Sequence, residues 1–162
     1  MLLDADDSQL LLVDYQPRLL KALHQGEEAH ARALLLAKVA QILGVRYKYG
    51  GNDLEDGVDC SGFVRAIYEQ TLGMVLPRRA AEQARATQTI SQDELKPGDL
   101  VFFNTMRTKF SHVGIYLGDN KFIHSPKPGE QVRIDDMRQA YWDRRFNGAR
   151  RVKETGVDKA LN

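Results

Sequence analysis

The chain has 162 residues, a formal net charge of +1 and 28% charged residues. This size suits a single globular domain with a core of its own. A net charge so close to zero gives no sign of the cationic surface on which nucleic-acid binding depends. No apolar run approaches the ~20 residues of a membrane-spanning helix. Cys60 is the only cysteine, which excludes a disulfide within the chain.

The first 26 residues differ in character from the remainder. The apolar run Leu10–Val13 is too short for the core of a signal peptide, and acidic residues precede it where basic ones are expected. Residues 10–20 resemble the opening strand and turn of isochorismatase-like hydrolases, in which the residue matching Asp14 is catalytic. The α/β domain of those enzymes does not follow. We therefore expect an extension in which Asp14 has no catalytic role. We expect a monomer, with dimerisation through an unpaired apolar strand of this extension as the alternative.

Two stretches have apolar residues at helical spacing. The first runs from Glu27 to Leu43 and is closed by Gly44. The second follows a glycine-rich loop, begins at Cys60 and ends at Gly73. Cys60 would then lie in the first helical turn, where unpaired backbone N–H groups and the positive end of the helix dipole favour a thiolate. This placement makes Cys60 a candidate nucleophile, with an inert buried cysteine as the alternative.

The chain then changes from helix to strand. A short helix is predicted over residues 79–87, with its alanines facing inward and Gln83 exposed. Leu100–Phe103 is predicted to be a buried strand. Two later segments, Val132–Ile134 and Gly148–Val152, are predicted to form a further pair of strands. The tail from Thr155 is polar, and we expect it to be loose.

A hairpin is predicted around the turn at Gly118, and it carries two histidines. With a two-residue loop, His112 and His124 point to opposite faces of the sheet. With a three-residue loop, or a bulge of the same effect, His124 lies opposite Gly114 and both histidines share one face. The second register leaves the other face wholly apolar, so we predict it.

Two histidines on one face can act as a base and an orienting partner. His112 would accept the Cys60 proton, and His124 would bind the far nitrogen of the His112 ring and fix its tautomer. Two half-buried histidines without a catalytic role are the first alternative. A zinc site made by Cys60, the two histidines and Asp59 is the second, since zinc requires three or four ligands.

The order of short motifs along residues 34–153 resembles that of the NlpC/P60 cell-wall peptidases. The motifs are Tyr47–Gly51, Asp59–Phe63, Leu76–Arg78, Leu95–Phe103, Ser111–Tyr116 and Phe122–His124. The resemblance implies an α+β, papain-like fold with N-terminal helices packed on a central antiparallel β-sheet. It also implies a cysteine endopeptidase that cleaves peptidoglycan stem peptides, typically between γ-D-glutamate and the diamino acid.

Site residues follow from the same resemblance. Cys60 matches the nucleophile, His112 the base, His124 the orienting residue and Tyr47 the tyrosine that stabilises the oxyanion. The substrate-binding positions are Asp59 and Ser61 at the substrate's amino end, Arg78 at a substrate carboxylate, and Ser111. No cofactor and no metal are expected. An amidase or acyltransferase on the same fold, or a non-catalytic wall-binding module, remains as an alternative.

The expected organisation is an extension over residues 1–26, a catalytic domain over 27–154 and a tail over 155–162. Peptidoglycan or a muropeptide is the expected partner, and nucleic acid is not. The family predicts the cell envelope or periplasm. A chain without a signal peptide is also compatible with the cytoplasm.

Overall fold

The computed structural model describes residues 25–153 and the backbone of residues 158–159. The expectations for the isochorismatase-like run, for Asp14 and for a dimerising strand lie outside the described residues. In the segment predicted as a tail, Asp158–Lys159 forms a short strand that pairs with Met74–Val75. Among the described residues, every helix is too short or too polar to cross a membrane.

The chain divides into two compact units, Met1–Ala33 and Leu34–Asn162. In the first unit, the described residues 25–33 are helical. In the second unit, residues 34–40 are helical and form α1. The helix predicted over residues 27–43 therefore ends three residues early. Residues 41–44 form turns instead, and Gly44 adopts a left-handed backbone with φ of 89°. Glycine tolerates this conformation at a helix end because it has no Cβ.

The remaining elements belong to the second unit. Its helices are α2 (Cys60–Leu72), α3 (Ala80–Ala86) and α4 (Ala140–Asp143), with a 3-10 turn at Gln92–Glu94. Its strands are β1 (Asn52–Asp53), β2 (Gly57–Val58), β3 (Met74–Val75), β4 (Gln88–Ile90), β5 (Leu100–Phe103), β6 (His112–Gly118), β7 (Lys121–His124), β8 (Arg133–Asp136), β9 (Phe146–Arg151) and β10 (Asp158–Lys159). The predicted α+β class, with helices packed on an antiparallel sheet, is confirmed.

Six strands form the main sheet in the order β4-β9-β5-β6-β7-β8, and all neighbours are antiparallel. Strands β5 to β8 form a meander. The predicted pairing of Val132–Ile134 with Gly148–Val152 is wrong, because β8 pairs with β7 at one edge while β9 inserts between β4 and β5. This non-local pairing leaves no trace in the local pattern of either segment.

Both faces of the sheet are covered. On β5, Leu100 and Phe102 face a large core shared with α1 and α2, while Val101 and Phe103 face a smaller aromatic cluster with Phe122, Met137 and Trp142. All four residues of β5 are fully buried, as the unbroken apolar run predicts. The alternation of β5 side chains thus holds α2 against one face and an aromatic layer against the other.

Helix α2 is defined at both ends by its own sequence. Asp59 is the N-cap and accepts a hydrogen bond from Gly62 N at 2.8 Å, and Gly73 closes the helix in a left-handed conformation. A Cβ built on Gly62 would lie 2.0 Å from the Gly51 carbonyl oxygen. The glycine therefore permits the first turn of α2 to lie directly against the glycine-rich loop.

Candidate active site

Cys60 is half-buried at the first residue of α2. Its Sγ lies 3.9 Å from the carbonyl oxygen of Ser111, the residue immediately before His112. The thiol can donate to this carbonyl, and backbone hydrogen bonds from Val113 and Ser61 also reach the sulfur. The start of α2 and the residue that precedes β6 are thus in contact, which places the candidate nucleophile beside the strand that begins at His112.

The register predicted for the β6–β7 hairpin is confirmed. Ile115 lies opposite Ile123 and Tyr116 opposite Phe122, a register in which His124 falls across from Gly114. Asp119 and Asn120 both have positive φ, as in a two-residue type I′ turn. A bulge between Tyr116 and Gly118 adds the extra residue that restores the phase. The predicted alternative of a bulge with the same effect as a three-residue loop is therefore the one observed.

The two histidines are in direct contact. His112 Nε2 lies 2.8 Å from His124 Nδ1, and both side chains are buried. Gly114 makes this contact possible, because a Cβ there would come within 2.8 Å of the Phe122 ring and 3.1 Å of the His124 Cβ. Trp142 stacks on the His112 ring at 5.6 Å and meets the His124 ring edge-on at 5.0 Å. The ring positions are thus fixed by packing as well as by the hydrogen bond.

A third polar residue continues the row across the sheet, and the sequence analysis missed it. Asp135 on β8 places Oδ2 2.8 Å from His124 Nε2, and Arg133 Nε donates to the same oxygen at 3.0 Å. The predicted strand, Val132–Ile134, ended one residue before Asp135; had it been extended, alternation would have placed Asp135 and Arg133 on one face. The missing information was that β8 pairs with β7, so that this face is the histidine face.

Asp59, Ser61 and Arg78 form one cluster beside Cys60. The Arg78 guanidinium binds Asp59 through two nitrogens, at 3.0 and 2.7 Å, and Ser61 Oγ at 3.0 Å. Gly50 N adds a further hydrogen bond to Asp59 at 3.1 Å. The hydrogen bond that Arg78 donates to Asp59 raises the pKa of Arg78. Arg78 was expected to meet a substrate carboxylate, but in the structure its charge is already paired with Asp59.

Tyr47 and Ser111 are also at this site, in different roles. Tyr47 is half-buried on a short parallel bridge to Val58. Burial raises the pKa of Tyr47, and the charge that Cys60 carries as a thiolate shifts it in the same direction. The Ser111 hydroxyl accepts hydrogen bonds from Thr105 N and Met106 N at 3.0 and 3.2 Å. It therefore holds the loop that precedes β6.

That loop forms one wall of a groove of about 460 Å³. The lining residues are Asn104, Thr105, Arg107, Arg144 and Arg145. The Arg144 and Arg145 side chains donate to the backbone carbonyls of their own helix, at 3.0 and 2.9 Å. None of the three arginines has an ion pair with a carboxylate in the part of the chain that the structure describes. The groove is therefore cationic, and it lies one hydrogen bond from Ser111.

The Cys60 thiol is not acidic in this setting. Burial raises its pKa to about 11, and the charge of Asp59 adds to the shift. Backbone hydrogen bonds from Val113 and Ser61 lower the pKa but do not compensate. The expectation that the helix N-terminus favours a thiolate is thus wrong for the resting protein, because desolvation of the sulfur outweighs the helix dipole.

The pKa of the His112 imidazole is shifted in the opposite direction, downward. Burial lowers its pKa to about 3, and the charge of His124 contributes in the same sense. At pH 7 the resting site therefore contains a neutral thiol and a neutral imidazole. A neutral imidazole can accept a proton, which is the state that a general base requires.

We expect alkylation of Cys60 by iodoacetamide to accelerate about tenfold per pH unit between pH 6 and 10. The thiolate is the reacting species, and with a raised pKa only about one thiol in ten thousand is ionised at pH 7. Mass spectrometry of the intact protein reports the site directly, since there is no second cysteine. A free cysteine peptide serves as the control and reaches its plateau earlier. A Cys60 rate that is already constant below pH 7 would contradict the raised pKa.

The positions of the side chains bear on the alternative of a zinc site made by Cys60, the two histidines and Asp59. Within residues 25–153, no three His, Cys, Asp or Glu side chains are arranged to hold a metal ion. Asp59, the fourth ligand of that alternative, is engaged by Arg78 and by the α2 N-terminus instead.

Comparisons with known proteins agree with the geometry. The NlpC/P60 family model matches residues 44–151. The murein DD-endopeptidase MepH of Escherichia coli strain K12 is 39% identical over 132 residues, covering 80% of this chain and 49% of that protein. The γ-DL-glutamyl hydrolase of Bacillus subtilis strain 168 is 35% identical over 134 residues, covering 82% of this chain and 32% of that protein.

A solved structure gives the same result for the fold. A lipoprotein-like NLP/P60 protein from Staphylococcus aureus subsp. aureus Mu50 superposes with a TM-score of 0.68 at 35% identity, over 76% of this chain and 41% of that one. The chain thus spans about half or less of the length of each of these three relatives. The family model covers more than half of the chain, and so the chain belongs to the NlpC/P60 family.

Proposed function

We propose that the protein is a cysteine peptidase that hydrolyses the peptide stems of peptidoglycan. The observation that carries the proposal is the contact between the Cys60 sulfur and the start of β6, 3.9 Å from the Ser111 carbonyl, together with the His112–His124 hydrogen bond. In the proposal Cys60 is the nucleophile, His112 the base and His124 the orienting group, an arrangement suited to covalent acyl transfer. The murein hydrolases among the relatives support the choice of substrate.

In the proposed reaction the neutral His112 accepts the thiol proton as the sulfur attacks the amide carbon. Because thiol and imidazole are both neutral at rest, proton transfer accompanies attack and no preformed ion pair is needed. The protonated His112 then gives its proton to the leaving amine, and an acyl-enzyme remains on Cys60. His112 next activates a water molecule, whose oxygen displaces the sulfur and releases the carboxylate product.

Negative charge on the carbonyl oxygen is stabilised in this proposal by the Tyr47 hydroxyl and the backbone N–H of Cys60. Tyr47 is suited to donate a hydrogen bond because its pKa is raised, so that the hydroxyl keeps its proton. A donor already aimed at the developing oxyanion needs no reorganisation during the reaction.

The scissile bond that we propose joins γ-D-glutamate to the diamino acid. Asp59 and Ser61, oriented by Arg78 and placed beside the sulfur, would receive the free amino end of the stem peptide. A γ-linked glutamate keeps its α-carboxylate, and the arginine-lined groove next to Ser111 offers uncompensated positive charge to such a group. The names of the two relatives refer to different bonds, one to a DD bond and the other to a γ-DL-glutamyl bond. The bond that this protein cleaves is therefore identified by product analysis.

The test is product analysis with purified peptidoglycan and defined muropeptides, resolved by mass spectrometry. We expect fragments whose masses correspond to hydrolysis within the stem peptide, with γ-D-glutamate as the new carboxyl end. The protein alkylated at Cys60 is the control and should release none. Glycan fragments alone, binding without cleavage, or transfer of the acyl group to an added amine in place of water would each contradict the proposal.

A substrate in the cell wall would place the protein in the cell envelope. We propose that location on the strength of the murein-acting relatives. A muropeptide substrate would be chemically equivalent, because it carries the same stem peptide.

A further inference from the structure

The row of hydrogen bonds across β6, β7 and β8 ends in a carboxylate. His124 is fully buried, and its two ring nitrogens are both used, Nδ1 by His112 at 2.8 Å and Nε2 by Asp135 at 2.8 Å. Each step is a diagonal cross-strand contact: His124 is two residues in register from His112, and Asp135 is two from His124, being opposite Phe122. One polar residue from each of three neighbouring strands therefore forms a single chain of contacts.

The carboxylate at the end of this row of hydrogen bonds determines which atom donates and which accepts at each contact. An ionised carboxylate can only accept, so the proton between His124 and Asp135 must lie on His124 Nε2. A neutral His124 then has a lone pair on Nδ1, and so His112 must carry its proton on Nε2. The remaining nitrogen, His112 Nδ1, is left with its lone pair.

We propose that Asp135 is a positioning residue that sets the tautomers of both histidines and thereby leaves His112 Nδ1 free to accept a proton. The assignment of that proton to Cys60 rests on the proposed function. The tautomers themselves do not, since they follow from the contacts and from the ionised state of Asp135.

Neighbouring residues keep the Asp135 carboxyl ionised, as the tautomer assignment requires. Its hydrogen bond with His124 and the contact with Arg133 hold the pKa of the carboxyl at about 2, so it is ionised at neutral pH. Arg133 in turn binds Glu130 at 2.6 Å, which fixes the guanidinium. The charges facing the histidine pair are therefore Asp135, Arg133 and Glu130, and they are the ones that influence the pKa of His124.

The next residue provides a matched control. Asp136 belongs to the same strand but points away from the histidines, and it pairs with Lys121 at 2.5 Å and Arg138 at 2.7 Å. Removing its carboxylate deletes an equal charge from β8 without touching the row of histidines.

The direct test is nitrogen NMR of the histidine rings in the full chain, which has four histidines. We expect His112 and His124 both to show a protonated Nε2 and an unprotonated Nδ1 at pH 7. After Asp135→Ala, water replaces the carboxylate and can donate as well as accept, so a second tautomer should become populated. Asp136→Ala should leave the spectrum of both rings unchanged. A protonated Nδ1 on His124 in the unaltered protein would overturn the proposal.

Enzyme kinetics distinguish a positioning role of Asp135 from a general contribution of this residue to the structure. With a cleavable muropeptide, Asp135→Ala should lower kcat by about 10- to 10,000-fold, from the loss of an outer partner of a functional histidine to the loss of a group that orients the catalytic histidine directly. KM should change less than about threefold, and Asp136→Ala should change neither. Equal losses in both variants, or a loss confined to KM, would contradict the proposal. If the unaltered protein cleaves no muropeptide but has the expected tautomers, the proposed function fails and the tautomer assignment stands.

Discussion

Replacing Cys60 by alanine is expected to lower muropeptide turnover by about a thousandfold or more. Nucleophile, base and orienting group act as a unit, so loss of the sulfur removes the covalent route and leaves only binding and oxyanion stabilisation. The fold should persist, because the side chain is half-buried and its hydrogen bond to the Ser111 carbonyl is long, at 3.9 Å. The free energy of unfolding should change by less than about 1 kcal/mol.

The measurement is initial rate at saturating muropeptide, with unfolding in urea followed through Trp142, the only tryptophan. Cys60→Ser is the matched variant, since it keeps the shape but offers a far less acidic hydroxyl. We expect it to be nearly as inactive as Cys60→Ala. Turnover by Cys60→Ala within tenfold of the unaltered protein would remove Cys60 from the mechanism.

Gly62→Ala is expected to destabilise the fold by about 3 kcal/mol or more. The new Cβ would come 2.0 Å from the Gly51 carbonyl oxygen and 2.9 Å from Asp59 Oδ1. The first obstacle is backbone, which cannot rotate away as a side chain would. The start of α2 would have to move from the glycine-rich loop. Cys60 lies two residues earlier, so activity should fall together with stability.

Gly26→Ala is the control for this change. Gly26 lies in the helical residues 25–33, and none of the described residues comes within 4 Å of a built Cβ, so the substitution replaces a poor helix former by a good one. It should be neutral or stabilising by up to about 1 kcal/mol. Urea midpoints that are equal for the two variants would show that the close approach at Gly62 is not a constraint.

The parts of the structure governed by local rules could be predicted from the sequence. The start of α2 at Cys60 and its end at Gly73 follow from the helical stripe and from a glycine that closes a helix. The phase of His112 and His124 follows from requiring one apolar face on the hairpin. Both predictions depended on residues close together in the chain.

The parts that depend on distant pairing could not be predicted. Asp135 can reach His124 only because β8 lies beside β7, whereas β9 lies on the other side of the sheet, between β4 and β5. Gln83 was expected to be exposed, yet it is fully buried and donates to the Ser61 and Pro77 carbonyls at 3.0 and 2.9 Å. A polar residue on a short helix is normally assigned to solvent, unless backbone acceptors from elsewhere are known to meet it.

The pKa of the Cys60 thiol could not be predicted from the sequence for a similar reason, because it too depends on distant parts of the chain. The helix dipole at Cys60 can be read from the sequence, whereas desolvation depends on everything that folds over the sulfur. The second effect prevails here, with the pKa raised to about 11.

The bulge between Tyr116 and Gly118 shows that the number of residues between the two histidines decides which face of the sheet each ring occupies. Deleting one residue there, or inserting one, would exchange the two sides of β7 and turn the His124 ring toward the aliphatic layer occupied by Ile115. Insertions and deletions between the histidines are thus compatible with the site only in even numbers. Homologues that keep both rings should differ in the length of this segment by zero, two or four residues.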